Sequence, residues 1–154
     1  MPDVVCSTCS KMSDVDNKDW KLIDPSSAYF CSSDCLLKAI YNNKPRDRFL
    51  FNMQTIRTGT YYSKKLKTFF MSKYEETVAL FLAAHNIWYQ YEAYWFPIVK
   101  TIYIPDFYLP DYGCFLEVKG AYGIGSKNKL ALFRIAYPDE TLFTVSWHMR
   151  HMFS

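Results

Sequence analysis

Four cysteines within the first 35 residues constrain this chain more than any other feature. They fall as Cys6-x2-Cys9, then 21 residues, then Cys31-x3-Cys35. Two close pairs separated by a loop are the spacing of a tetrahedral thiolate site, in which zinc takes four sulfurs at about 2.3 Å. A segment of about forty residues buries too little apolar surface to fold alone, and a metal supplies the deficit. The opening "MPDVVCSTCS" has neither the basic start nor the apolar stretch of a signal peptide. No apolar run reaches the roughly 20 residues of a membrane span. The expectation is therefore a cytoplasmic protein without membrane association, in a reducing compartment where thiolates take zinc rather than form disulfides. Four thiolates leave no open coordination position, so this zinc is expected to be structural. Ser32 or Ser33 can cap a helix carrying Leu36, Leu37 and Ile40 on its apolar face. The fifth cysteine, Cys114, reads as a small buried hydrophobe.

The remainder is rich enough in apolar residues for a packed core. Half of the 154 residues are hydrophobic and 19% are aromatic, which excludes wholesale disorder. "TIRTGTYYSKKLKTFF" reads as two short strands with a turn near Ser63 to Lys65. Ser72 with Glu75 three residues on is a capping box, with Met71, Val78, Ala79 and Leu82 on the face of Glu75, for a helix ending near Asn86. "IWYQYEAYWFPIV", "TIYIPDFYL" and "GCFLEVKG" read as three strands. Ser126 is the candidate cap of a second helix that Pro138 stops, and "TLFTVSWH" reads as a closing strand. The order implies an α/β fold, helices on a mixed sheet. Three segments follow: a cysteine module over 1–43, a basic linker and strand pair over 44–71, and a core over 72–154.

Charge is unevenly spread. Residues 44–73 carry eight basic side chains and one acidic, whereas the whole chain is only +3. Lysine and arginine mixed with aromatics suit a phosphate-facing surface. Arg57, Lys64, Lys65, Lys67 and Lys73 are its candidate DNA contacts, joined by Lys127 and Lys129 further along.

Against this background, "YIPDFYLPDYGCFLEVKG" poses the sharper problem. Residues two apart in a strand face the same side, so Glu117 and Lys119 project with Phe115, while Leu116 and Val118 point away. A hairpin would set Asp106 beside Glu117, and two neighbouring carboxylates need a cation. Lys119 offsets part of the charge, and a divalent metal with hard oxygen ligands offsets more. Glu75, on the sheet-facing side of its helix, completes the acidic cluster. Glu76 is its rival, Glu92 is expected at the surface, and His148 and His151 read as ordinary tail residues.

"IPD" followed by "EVK" resembles the PD-(D/E)xK nucleases, and "SKYEETVALFLAAHNIWYQYE", "YIPDFYLP" and "FLEVKG" are similar in order and context to the phage endonuclease I branch, the Holliday-junction resolvases. The resemblance covers residues 72–145. It implies a restriction-endonuclease-like mixed sheet flanked by helices. It also implies Glu75, Asp106 and Glu117 as ligands of magnesium or manganese, Lys119 as catalytic lysine, and a homodimer acting on branched DNA, in the cytoplasm of a bacterial host if the gene is a phage's. "YFCSSDCLLKAIY" resembles the second half of treble-clef-like zinc fingers. The strand pair before Glu75 looks closer to free-standing phage and homing-type enzymes, which leaves a site-specific endonuclease as the alternative. A zinc-containing DNA-binding protein without cleavage is the second.

Overall fold

Serine caps and aliphatic stripes set the first two helices. In the computed structural model, which describes residues 3–14, 28–45, 59–119 and 124–153, α1 spans Ser33–Asn42 and α2 spans Lys73–Ala84. Ser32 and Ser72 hold extended backbone at the N-caps, and their Oγ atoms accept the N–H of Cys35 and Glu75, each at 3.2 Å. That satisfies a donor the first helical turn would otherwise leave unpaired. Leu36, Leu37 and Ile40 of α1 and Val78, Ala79 and Leu82 of α2 are buried as expected. Met71 is not, being 42% exposed. It precedes the cap, where helical phase no longer decides which way a side chain points. The third helix, α3 (Ile124–Ala136), begins two residues before Ser126, so that serine is not its cap.

The strands are shorter and more numerous than the apolar runs suggest. Two pairs come first: β1 (Asp3–Val5) with β2 (Met12–Asp14), and β3 (Tyr61–Ser63) with β4 (Thr68–Phe70). Then follow β5 (Gln90–Tyr91), the hairpin β6 (Phe96–Ile98) and β7 (Thr101–Tyr103), β8 (Phe107–Leu109), β9 (Cys114–Lys119) and β10 (Thr141–Ser146). Backbone conformation breaks the long runs. Glu92 and Val99 both have φ of +48°, and Pro105 offers no N–H to a ladder.

The central sheet has order β10-β9-β8-β5, with β9 and β10 parallel and the other pairs antiparallel. It is a mixed sheet, and α3 is the crossover between its parallel strands. Central strand β9 is buried along most of its length on both faces. Phe115 packs with Phe96, Ile98, Tyr103, Leu130, Phe133 and Leu142 on the α3 side. Cys114, Leu116 and Val118 join α1, α2, Phe107 and Val145 on the other. The period-two reading of this strand therefore holds.

The cysteine-bearing segment shares that second core. Cys6, Phe30, Cys35, Leu36, Leu37 and Ile40 belong to the same apolar cluster as Leu82, Phe107 and Leu116. Phe30 meets Phe143 edge-on with ring centroids 5.6 Å apart. After α1, the Asn43 amide donates to the Tyr112 carbonyl at 2.6 Å. Gly113 adopts φ +64°, and a Cβ there would stand 2.5 Å from Pro45 Cα, so the β8–β9 turn accepts no side chain where the chain leaving α1 crosses it. A closing 3-10 helix, Trp147–Phe153, sets Phe153 against Phe81. Among the described residues, no helix is long and apolar enough to cross a membrane.

Candidate functional site

The thiolate cluster forms where the β1–β2 loop meets the start of α1. Cys6, Cys9, Cys31 and Cys35 bring their sulfurs within 4.8 Å of one another. The Cys9–Cys31 and Cys31–Cys35 separations are 3.6 and 3.7 Å. A tetrahedron with zinc–sulfur bonds of about 2.3 Å has edges of about 3.8 Å, so the four residues fit zinc. The cluster is already tuned toward thiolate at one end. Burial opposes the Cys6 thiolate, but the N–H groups of Cys9, Cys31 and Thr8 point at its sulfur and hold its thiol down at about 6. Burial pushes the Cys31 thiol up to about 12, and the sulfurs of Cys9, Cys35 and Cys6 around it add to that. A divalent cation at the centre would favour the Cys31 thiolate against that burial.

The acidic cluster forms on the sheet, and its membership differs from the expected set. Carboxylate oxygens of Glu75, Glu92 and Asp106 lie within 4.8 Å of one another, and all three residues are buried. Asp106 is held by the Val118 N–H, which donates to its Oδ2 at 2.7 Å. Glu75 is held twice, by the Tyr91 hydroxyl at 3.1 Å and the Ser72 hydroxyl at 3.0 Å. The capping box thus also orients a site residue. Glu76, the rival acid, instead accepts from Tyr61 at 3.3 Å on the outer side.

Glu92 is a correction: expected at the surface, it is only 6% exposed. Strand alternation fails there because Glu92 sits past the end of β5 in left-handed backbone. Its N–H bonds the Asp106 carbonyl at 2.8 Å, and that kink turns its side chain inward.

Glu117 stands next to this trio. The Tyr103 hydroxyl donates to its Oε2, and Lys119 Nζ lies 3.8 Å from Oε1. A cavity of about 350 Å³ opens over Asp106, Glu117, Lys119 and Lys129, walled by Ile102, Tyr103, Ile104 and Leu130. Lys129, expected to touch DNA beyond the site, is inside it. Sequence patterning singles out neither Tyr103 nor Tyr91. Both occur among thirteen tyrosines, and only the tertiary packing of β5 against α2 and of β7 against β9 gives them a carboxylate.

Burial dominates the electrostatics. It pushes the Glu117 carboxyl up to about 8, with Lys119 opposing and the charges of Glu75 and Glu92 adding to the rise. Asp106 is raised well above the usual carboxylate range, again by burial first and then by Glu75. Four buried carboxylates with only two partly exposed lysines, Lys119 and Lys129, are a donor set short of positive charge, which fits a hard divalent cation bound through oxygen. A pH test follows. A carboxyl whose folded pKa is raised binds a proton that the unfolded chain has already released, so stability falls as pH rises between the two values. With no added magnesium, the urea midpoint is expected to fall from pH 5 to pH 8 and then level off. Magnesium at millimolar concentration should flatten the curve by favouring the ionised carboxylates. A midpoint independent of pH would show that Glu117 is not held protonated.

The other expected DNA contacts fall into three groups. Lys64, Lys65 and Lys67 are exposed in the turn between β3 and β4, and Lys73 is exposed on the first turn of α2. Arg57 lies outside the described residues, as does the side chain of Lys127, which is within α3. Tyr62 and Phe69 meet at a tilt across the same hairpin, centroids 5.0 Å apart, and both are about half exposed. No family model, curated protein or solved structure matches this chain.

Proposed function

We propose that this chain is a metal-dependent DNA endonuclease of the PD-(D/E)xK type, with branched DNA as its preferred substrate. The observation that carries the reading is the meeting of Asp106, Glu117, Lys119 and Lys129 in one open cavity, with Glu75 and Glu92 buried behind it. Acids alone would suggest only a cation site. Two lysines lining an acidic cavity suggest an anionic substrate brought to a cation.

Magnesium or manganese held by these carboxylates would polarise a phosphodiester and lower the pKa of an attacking water. Lys119, tethered to Glu117, orients that water and offsets the negative charge carried by the phosphoryl oxygens as the new P–O bond forms. Lys129 approaches from α3 and holds a non-bridging oxygen. One P–O bond to the sugar breaks, and the proton lost by the water ends on the departing alkoxide. Tyr103, from β7, and Tyr91, from β5, hold Glu117 and Glu75 in place. The lysine-tipped β3–β4 hairpin runs directly into the cap of α2, which supports a duplex lying along it toward the cavity.

The substrate panel is the primary test: four-way, hairpin, flapped and linear DNAs with magnesium. The expected result is paired nicks near a four-way junction centre made by a dimer, with linear duplex cut far more slowly. A single cut in a long linear target, with junctions ignored, would replace the resolvase reading by the site-specific one. Binding without any cleavage would leave a DNA-binding protein. Replacing Lys64, Lys65 and Lys67 together by alanine should weaken DNA binding and reduce the slope of log affinity against log salt by about 3. An unchanged slope would remove this hairpin from the interface.

A further inference from the structure

The β6–β7 hairpin breaks the local rule for its own turn. Only Val99 and Lys100 join the two strands, since Ile98 pairs with Thr101. Two-residue hairpin loops need left-handed backbone at the first position and take glycine, asparagine or aspartate there. Here that position is Val99, with φ +48° and 83% exposure. A β-branched residue in this conformation is strained, and burial of the side chain within the chain does not compensate it. Strain of this kind persists where surrounding structure imposes it and concentrates at functional sites.

The base of the hairpin is packed into the core. Phe96, Ile98 and Tyr103 are buried against Phe115 and Phe133, and the Tyr137 hydroxyl donates to the Pro97 carbonyl at 2.7 Å. The same hairpin borders the acidic cavity through Ile102 and Tyr103, the latter bonded to Glu117. Its tip extends about 10–13 Å from Tyr103, the length of three to four stacked bases at about 3.4 Å each. Exposed Lys100 stands beside the apolar tip, a pairing suited to a polyanion with an apolar interior.

We infer that Val99 is an apolar wedge that enters the base stack of DNA whose phosphate occupies the cavity, and so selects DNA that is already unstacked. The inference rests on the nuclease reading for its placement of the phosphate. Inserted aliphatic side chains part base steps at the cost of stacking, which is least where stacking is already broken.

The test uses the full chain with calcium in place of magnesium, so that binding is read without hydrolysis. Probes are a four-way junction and a linear duplex, each carrying 2-aminopurine. Wild type is expected to raise the junction probe's emission. Val99→Asn, which tolerates left-handed backbone, should lose that rise and bind the junction roughly tenfold more weakly, with linear duplex unaffected. The same variant should melt roughly 2–6 °C higher, because strain is relieved. Val99→Leu should keep the emission change. Unaltered emission and affinity in a stabilised Val99→Asn would overturn the wedge, as would wild type that leaves the probe dark. Wild type that brightens the probe yet never cleaves with magnesium would uphold the wedge and sink the nuclease reading alone.

Discussion

Asp106→Asn is expected to lower cleavage by roughly 10³-fold or more while DNA affinity stays within about twofold, because the change removes a buried anion from the reacting centre and leaves the exposed lysines alone. The substituted side chain can still accept the Val118 N–H through its amide oxygen, so the local fold should survive. Glu117→Gln and Lys119→Ala should show the same split between cleavage and binding. Asp106→Asn and Glu117→Gln should also raise stability at pH 8 in the absence of divalent ions, since each replaces a carboxyl that burial holds protonated above its usual range. A purely structural acid would behave oppositely, losing stability and binding together. Full activity in Asp106→Asn, measured on the best substrate of the panel, would show the wrong acid had been assigned. Glu92→Gln discriminates further: a deficit comparable to that of Glu75→Gln is expected, since both reach the same trio.

The second large effect concerns zinc. Purified protein should carry about one zinc per chain, and Cys35→Ser should lower the melting temperature by roughly 10–20 °C. The loss should be global. Cys35 and Cys6 lie in one apolar cluster with Leu82, Phe107 and Leu116, so releasing the start of α1 opens the core beneath the sheet. Hydrogen exchange followed by mass spectrometry should show protection falling in β8 and β9 as well as in α1. Protection lost only before residue 44 would mean the cysteine segment is an independent satellite, and zinc-free protein with wild-type stability would end the metal assignment.

Much of the site was legible in the chain because its signals are local. The Cys-x2-Cys and Cys-x3-Cys spacings depend on one loop and one helix turn. The caps at Ser32 and Ser72 depend on three residues each. Glu117 and Lys119 share a side with Phe115 because strand side chains alternate, and a buried central strand tolerates no slip in register. Glu75 rather than Glu76 turned inward because Val78, Ala79 and Leu82 set the buried face of α2.

Local pattern in the chain was enough for the cap of α2, for narrowing that of α1 to Ser32 or Ser33, for the gathering of cysteines into one cluster, for the faces of β9 and for the burial of Glu75, Asp106 and Glu117, while the cap it offered for α3, Ser126, lies inside that helix. Tertiary structure alone decided the rest. Glu92 enters the acidic trio through a left-handed kink stabilised by a bond to the Asp106 backbone, and alternation along the chain cannot foresee a kink that depends on a partner strand. Tyr103 and Tyr91 acquire carboxylates only when β7 and β5 are placed beside Glu117 and Glu75. Lys129 reaches the cavity because the β9–α3–β10 crossover lays α3 over the face that carries Glu117. The physical reason is common to all four: local propensity fixes which way a residue faces within its own element, whereas what it faces is set by long-range packing of elements far apart in the chain.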